Sequence, residues 1–279
     1  MKSVFFTGAT GGLGELCVRE LSQRGWQVFA AGTNEGKLEE LGKLPHVIPL
    51  YADVRSMESL LAAREELARY TDCLDAVVNF AGISVFSSLV EGEGVTLMEK
   101  LMDINVMGTV RVNGLLIEFV ERGKGRIINC SSTVGWSASQ PFAGAYCASK
   151  RAIEAYSDSL RRELMFLGIP VIKIQPGAYQ TQLLSGMDGS FEKALQITIR
   201  YQRVLTKLKF VMDLVLKRAG DPQELVDVVV RALEDMKLKI KYRKGTSPLM
   251  YALSALPGRV VDWGYRTVLK LPLGGKKHA

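Results

Sequence analysis

Thr7-Gly8-Ala9-Thr10-Gly11-Gly12-Leu13-Gly14 is the stretch that decides the fold. It follows a short β-rich run, Ser3 to Thr7, and leads into Gly14 to Gly25, where Leu16, Val18 and Leu21 recur at helical spacing. Glycine enters left-handed turns freely and lets a backbone approach a phosphate closely. A helix that starts at such a turn offers unpaired N–H groups and the positive end of its dipole. Glycines also make ordinary tight turns, so the weight lies in the position of the loop between first strand and first helix. Its spacing, T-G-x-x-x-G-x-G, differs from the more widespread G-x-G-x-x-G.

Outward from the loop, strand and helix patterns alternate. Strands are expected at Gln27–Ala31, Val47–Tyr51, Leu74–Phe80, Arg126–Cys130 and Pro170–Gln175. Helices are expected at Ser56–Tyr70, Leu97–Arg122 and Tyr146–Leu167. Continuous apolar pairs such as Val77-Val78 and Ile127-Ile128 suit strands buried on both faces. The alternation predicts an α/β fold, a doubly wound parallel sheet of Rossmann type with helices on both faces. The 279 residues, 47% of them hydrophobic, suffice for one large core, and neither a repeat nor a long linker divides them. A single domain is expected, with 1–181 as cofactor-binding and catalytic core and 182–279 as a helical substrate lid and C-terminal segment. In the latter, Leu183–Lys217 is helical in pattern, Asp221-Pro222-Gln223-Glu224 reads as a helix start, Leu238–Tyr242 as a last strand, and Leu249–Leu271 as a helical stretch interrupted at Pro257-Gly258.

The net charge of +7 is unevenly spread. Residues 1–182 hold 18 basic and 20 acidic side chains, and residues 183–279 hold 18 and 9. The excess in the last third is a solvated face of basic helices or a peripheral contact with an anionic membrane; binding to nucleic acid is not expected. Cys17, Cys73, Cys130 and Cys147 lie in apolar stretches without a C-x-x-C pair, which fits reduced thiols in a cytoplasmic-type compartment. With His46 and His278 as the only histidines, neither a His-rich metal site nor a Ser-His-Asp triad is expected, and no metal is assigned. Neither a signal peptide nor a bilayer-length apolar run, about 20 residues, is seen in the sequence.

The glycine turn, taken with six further segments in order, resembles the short-chain dehydrogenase/reductase family. Asp53-Val54 is similar to the family's pair beside the adenine ring. Asn79-Phe80-Ala81-Gly82 matches its N-x-A-G turn, and Asn105 matches the helix asparagine of its catalytic tetrad. Ser132, Tyr146 and Lys150 complete that tetrad. Pro176, Gly177 and Thr181 match its P-G-x-x-x-T segment near the nicotinamide. The resemblance covers Ser3 to about Thr181. Tyr146-Cys147-Ala148-Ser149-Lys150 and the helix after it look like the retinol and hydroxysteroid dehydrogenase branch. The Ser-to-Tyr spacing is 14, one more than in many members, which leaves Ser131 and Thr133 as competing hydroxyls.

The resemblance implies an NAD(P)-dependent oxidoreductase. Thr7, Gly8, Thr10, Gly11, Gly12, Leu13 and Gly14 would hold the dinucleotide, helped by Asp53, Val54, Asn79, Ala81, Gly82, Pro176, Gly177 and Thr181. Tyr146 and Lys150 lie four apart, so on a helix they share a face. A tyrosine titrates near 10, and a neighbouring ammonium favours its phenolate. Tyr146 then takes the alcohol proton or gives it to the carbonyl, while Ser132 donates to the substrate oxygen. Lys150 also holds the ribose, and Asn105 a water. The strand Gln27–Ala31 is followed by Gly32-Thr33-Asn34, with no acid to meet a ribose 2′-hydroxyl, and Thr33, Asn34 and Lys37 can meet a 2′-phosphate. NADP is therefore favoured, with NAD as the alternative.

The branch suggests a small lipophilic alcohol or ketone, closed over by Tyr179 to about Lys217. Tyr201, Phe210, Met212 and Leu216 are pocket or plain core residues, and Trp136 and Phe142 line the pocket or cover a strand. The stretch Leu249–Leu271, with Trp263 and Tyr265, packs at the pocket mouth, against another subunit or at a membrane interface. The family implies a homodimer or homotetramer paired through the helices Leu97–Arg122 and Tyr146–Leu167. Other functions to be weighed are a dinucleotide-binding sensor or scaffold without turnover, an epimerase or dehydratase of the extended branch, and a reductase for acyl, sugar or quinone-like carbonyls.

Overall fold

The computed structural model describes residues 1–179, 182–216 and 219–269, the side chains of 182–188, 211 and 213–216 excepted. Seven parallel strands form one sheet. They are β1 (Ser3–Thr7), β2 (Gln27–Gly32), β3 (Val47–Tyr51), β4 (Ala76–Asn79), β5 (Arg126–Cys130), β6 (Val171–Pro176) and β7 (Lys241–Lys244), in the order β3-β2-β1-β4-β5-β6-β7. The order reverses between β1 and β4, and in such sheets the crevice at the carboxyl ends of those two strands receives the ligand.

Alternation along each strand builds two cores. Val4, Phe6, Val28, Ala30, Val78 and Ile128 point to one face, where they meet α1 (Gly12–Gln23), α2 (Glu35–Gly42) and α9 (Pro222–Glu234). Phe5, Phe29, Ala31, Val77, Ile127 and Val171 point to the other face, toward α3 (Met57–Ala68), α5 (Gly108–Arg122) and α6 (Gly144–Leu164). Helix starts follow the capping chemistry: Ser56 accepts from Ser59 N at 3.2 Å, and Asp221 from Gln223 N at 2.9 Å with Pro222 at the first turn.

Several elements depart from expectation; the helical pattern at Leu183–Lys217, for one, is divided between two helices, with 198–201 outside both. The long helical pattern at Leu97–Arg122 is α4 (Gly94–Leu101) and α5 separated by a π-helical turn, Met102–Met107. Hydrophobic periodicity is blind to one such widened turn. The last strand lies at Lys241–Lys244, three residues after the expected start. Its register is set by Tyr242, which is buried and donates its hydroxyl to Asp235 at 2.9 Å. The remaining helices are α7 (Gln182–Ile197), α8 (Gln202–Leu216), α10 (Pro248–Ala255) and α11 (Gly258–Val268), and the break at Pro257-Gly258 falls where expected. Among the described residues, no helix is long and apolar enough to cross a membrane.

Candidate active site

At the crevice, Gly8 carries φ +70°, and a Cβ there would sit 2.6 Å from Ala81 N. The Thr7 hydroxyl accepts from both Phe80 N and Ala81 N at 3.2 Å, which ties the glycine turn to the loop after β4. Gly14 approaches the Gly8 carbonyl so closely that a Cβ would overlap it. Gly11 caps α1 without any side-chain hydrogen bond, so the helix N-terminus, with Gly12 and Leu13, is left open to an anion. Thr10 lies over Gly32, where a Cβ would meet its hydroxyl at 2.7 Å. This cradle, with glycines at its close approaches and the N-terminus of α1 opening into it, fits a pyrophosphate.

The outer residues expected at the dinucleotide divide. Val54 is buried and packs on Gly108. The Asp53 carboxylate pairs with Arg55 at 2.6 Å, whose guanidinium holds its pKa below the usual range. After β2, Thr33 is exposed, while Asn34 caps α2 by accepting from Lys37 N at 3.0 Å. The Lys37 ammonium lies 3.3 Å from Glu15 on α1. The side chain of Asn79 donates to Asn113 at 2.7 Å and Asn129 at 3.0 Å, so it braces β4 against β5 and α5. Gly177 packs on Gly245, and its N–H bonds Lys244 O at 2.8 Å, which fixes the chain after Pro176 to β7. Thr181 lies outside the described residues.

The four expected catalytic side chains come together. Asn105, in the π-helical turn, accepts from Ile83 N at 2.8 Å and donates to Ile83 O at 2.9 Å and Ser149 Oγ at 3.0 Å. It thereby joins the loop after β4 to α6. Lys150, on α6, is buried and donates to Cys130 O at 2.8 Å, and burial pushes its pKa down. Its ammonium is 5.8 Å from the Tyr146 ring centre. Burial pushes the Tyr146 phenol up, and the Ser132 hydroxyl opposes that by favouring phenolate.

The three competing hydroxyls are separated by their partners. Ser131 turns to Lys150 O at 3.4 Å, and Thr133 bonds Pro176 O at 3.2 Å and Thr246 at 2.6 Å. Of the three, Ser132 is the one whose hydroxyl bears on the Tyr146 phenol, lowering its pKa against burial. Ser149, which orients Asn105, carried no sequence signal, because a serine inside a helix is unremarked on pattern alone.

Beside Tyr146 lies a third apolar cluster, which includes Phe86, Val134, Phe191, Leu205, Leu208 and Leu269. It draws on the loops after β4 and β5 and on α7, α8 and the end of α11. Phe142 joins it at φ +62°, with its ring 5.1 Å from Tyr201. Met212 packs on it, whereas Phe210 is 69% exposed. A cavity of about 180 Å³ adjoins it, lined in part by Phe86, Ser190, Ala194 and Leu205. Trp136 stacks on Tyr251 and Arg243. Among the described residues, no group of three or more His, Cys, Asp and Glu is placed to hold a metal.

The family model for short chain dehydrogenases matches residues 2–189. Rat retinol dehydrogenase 7 is 30% identical over 94% of this chain and 88% of its own length. Human short-chain dehydrogenase/reductase family 9C member 7 is 33% identical over the same shares. Human 17-beta-hydroxysteroid dehydrogenase type 6 is 30% identical over 94% and 87%. Among solved structures, an alcohol dehydrogenase from the archaeon Thermococcus sibiricus, complexed with 5-hydroxy-NADP, aligns with a TM-score of 0.71 at 20% identity, covering 89% of this chain and 99% of that one. A 3-ketoacyl-(acyl-carrier-protein) reductase from Brucella melitensis, complexed with NADH, aligns at 0.69 and 21%, covering 87% and 96%. The chain belongs to the short-chain dehydrogenase family and is an NAD(P)-dependent oxidoreductase of its retinol and hydroxysteroid dehydrogenase branch.

Proposed function

We propose that this chain interconverts a lipophilic alcohol, steroid- or retinoid-like, and its ketone or aldehyde, with a preference for NADP(H). The observation that carries the reading is the Ser132–Tyr146–Lys150 grouping at the rim of the apolar cluster. Tyr146 moves the proton at the substrate oxygen, Ser132 donates to that oxygen, and Lys150 holds the ribose while favouring phenolate. Asn105 keeps the loop after β4 and α6 in register beneath them. The nicotinamide, when bound, supplies or accepts the hydride. A sensor without turnover has no use for all four groups, so the enzymatic reading is preferred.

The single-domain division at about residue 181, with α7 and α8 as a lid, is part of this reading. So are pairing into a homodimer or homotetramer through α4–α5 and α6, and a cytoplasmic location with peripheral membrane contact. The membrane contact rests on the exposed Leu249, Val260 and Trp263 beside Arg259 and Arg266 on α10 and α11. The deciding experiment follows nicotinamide absorbance with NADPH and NADH across steroid, retinoid, fatty acyl and quinone-like carbonyls. Turnover confined to acyl or quinone-like compounds would overturn the substrate class, and none with any would favour the sensor.

A further inference from the structure

A chain of polar side chains, with Lys173 and Gln175 buried among them, runs behind the site from α6 to the turn that follows Ser132. Lys173 on β6 is 5% exposed and lies 2.8 Å from both Glu154 and Asp158 on α6. Glu154, one helical turn after Lys150, accepts from Gln175 Nε2 at 2.6 Å. Gln175, on β6, accepts in turn from Arg243 Nε on β7 at 2.6 Å. The Arg243 guanidinium then lies 3.8 Å from the centre of the Trp136 ring. Tyr251 of α10 packs on the same indole, with ring centres 5.0 Å apart.

Trp136 closes the short turn Thr133–Gly135 that begins at Ser132, and its N–H bonds Thr133 O at 3.3 Å. Gly135 lies directly against α6, where a Cβ would stand 3.0 Å from Lys150 O. The contacts thus close a ring. It leaves α6 at Glu154, crosses β6 and β7 through Gln175 and Arg243, enters the turn at Trp136, and returns to α6 where Gly135 meets Lys150.

We propose that Arg243 is a positioning residue, which acts through Trp136 to hold the turn that begins at Ser132 against α6, beside Tyr146. The role uses what a guanidinium offers and an ammonium does not: a flat face for the indole and a fixed N–H for Gln175. Placement of reacting groups is worth large factors in rate, about 10²-fold for a shift near 1 Å. The inference rests on the proposed roles of Ser132 and Tyr146.

The test uses the full chain with NADP(H), a steroid ketone and its alcohol as probes, and the variants Arg243→Met and Arg243→Lys. Arg243→Met is expected to bind NADPH within about twofold of wild type and to keep KM within about threefold, but to lose kcat by about tenfold or more. Arg243→Lys should lie between. Loss of the Ser132 contact also moves the alkaline limb of alcohol oxidation to higher pH. Around that phenol the other facing groups are Cys130 on β5 and Cys147 and Lys150 on α6, none of them altered. A readout that needs no turnover is the phenolate absorbance of each variant minus that of its Tyr146→Phe counterpart, with NADP⁺ bound. An unchanged kcat and an unchanged Tyr146 titration in Arg243→Met would overturn the proposal. If that variant fails to bind NADPH, Trp136→Phe and Trp136→Leu decide. Retention in Phe with loss in Leu supports the stack, and equal rates overturn it. A wild type inactive on the probes defeats the functional reading, while the titration still reports on Arg243.

Discussion

The Lys150 ammonium donates to the carbonyl of Cys130 at 2.8 Å, joining the middle of α6 to the last residue of β5. That strand end is two residues before Ser132. One buried cation therefore anchors the strand that delivers the serine and stands 5.8 Å from the ring of the tyrosine on its own helix. Desolvation pushes its pKa down, yet the carbonyl contact favours its charged form.

Lys150→Met removes the charge and strands the Cys130 carbonyl without its partner. A buried acceptor left unpaired costs about 1–3 kcal/mol. We expect a lower melting temperature, weaker NADPH binding and a kcat reduced by about 10²-fold or more, the scale of acid–base assistance. Thermal unfolding, cofactor titration and initial rates separate the three effects. A variant with normal kcat and weakened cofactor binding alone would confine Lys150 to the ribose.

Tyr146→Phe leaves the ring in the apolar cluster and removes only the proton carrier. Cofactor binding should hold within about twofold while turnover falls by about 10²-fold or more. Near-normal rates in the phenylalanine variant would take Tyr146 out of the chemistry.

Ser132→Ala should be much slower than Ser131→Ala or Thr133→Ala, because Ser132 is the hydroxyl that favours the Tyr146 phenolate while the other two bond backbone and Thr246. The sign of its pH effect follows. The Ser132 hydroxyl lowers the Tyr146 pKa against burial, so its loss raises that pKa. Oxidation, which needs phenolate, should then rise only at higher pH, and reduction, which needs phenol, should hold its plateau further into the alkaline range. A crippled Thr133→Ala beside an active Ser132→Ala would reassign the hydroxyl.

Much of this was legible in the sequence because it rests on local rules. The glycine turn needs backbone room that only glycine gives, and strands buried on both faces must be apolar throughout, as in Val77-Val78. Tyr146 and Lys150 share a helical face by spacing alone. What the sequence hid was long-range. Asn79 pairs with Asn113 and Asn129 across 34 and 50 residues, and no periodicity marks such amides. Lys37 finds Glu15 only when α2 lies beside α1, and Trp136 finds Arg243 only when β7 joins β6. The π-helical turn under Asn105 departs from 3.6 periodicity too briefly to register in an apolar pattern.

Gly8→Ala tests the cradle independently of turnover. The φ of +70° is strained for alanine, and its Cβ would press on Ala81 N at 2.6 Å. We expect about 2–3 kcal/mol of destabilisation, a fall in melting temperature of roughly 5 °C or more, and a loss of cofactor affinity. Gly25→Ala, also at positive φ but with open space around its Cβ, is the control for backbone strain alone. Equal effects on NADPH affinity in the two variants would remove the loop from the cofactor site.

The choice of cofactor turns on the chain after β2. No carboxylate stands at Thr33 or Asn34 to repel a 2′-phosphate, and exposed Thr33 precedes the N-terminus of α2, which favours anions. Lys37 contributes less than its sequence position suggests. Its ammonium is held by Glu15, and a partly exposed charge already paired adds little at physiological salt. NADPH should therefore bind more tightly than NADH without absolute discrimination. Lys37→Ala should shift the ratio by no more than about threefold, the scale of an exposed pair. Glu15→Gln, which removes the carboxylate paired with that ammonium, should move it toward NADPH. Thr33→Asp should reverse it, because the new carboxylate meets the ribose hydroxyls of NADH and repels the phosphate of NADPH. Titration of both reduced cofactors into the four proteins gives the ratios directly. Equal affinity of wild type for both cofactors, unmoved by Thr33→Asp, would show that this turn does not read the ribose.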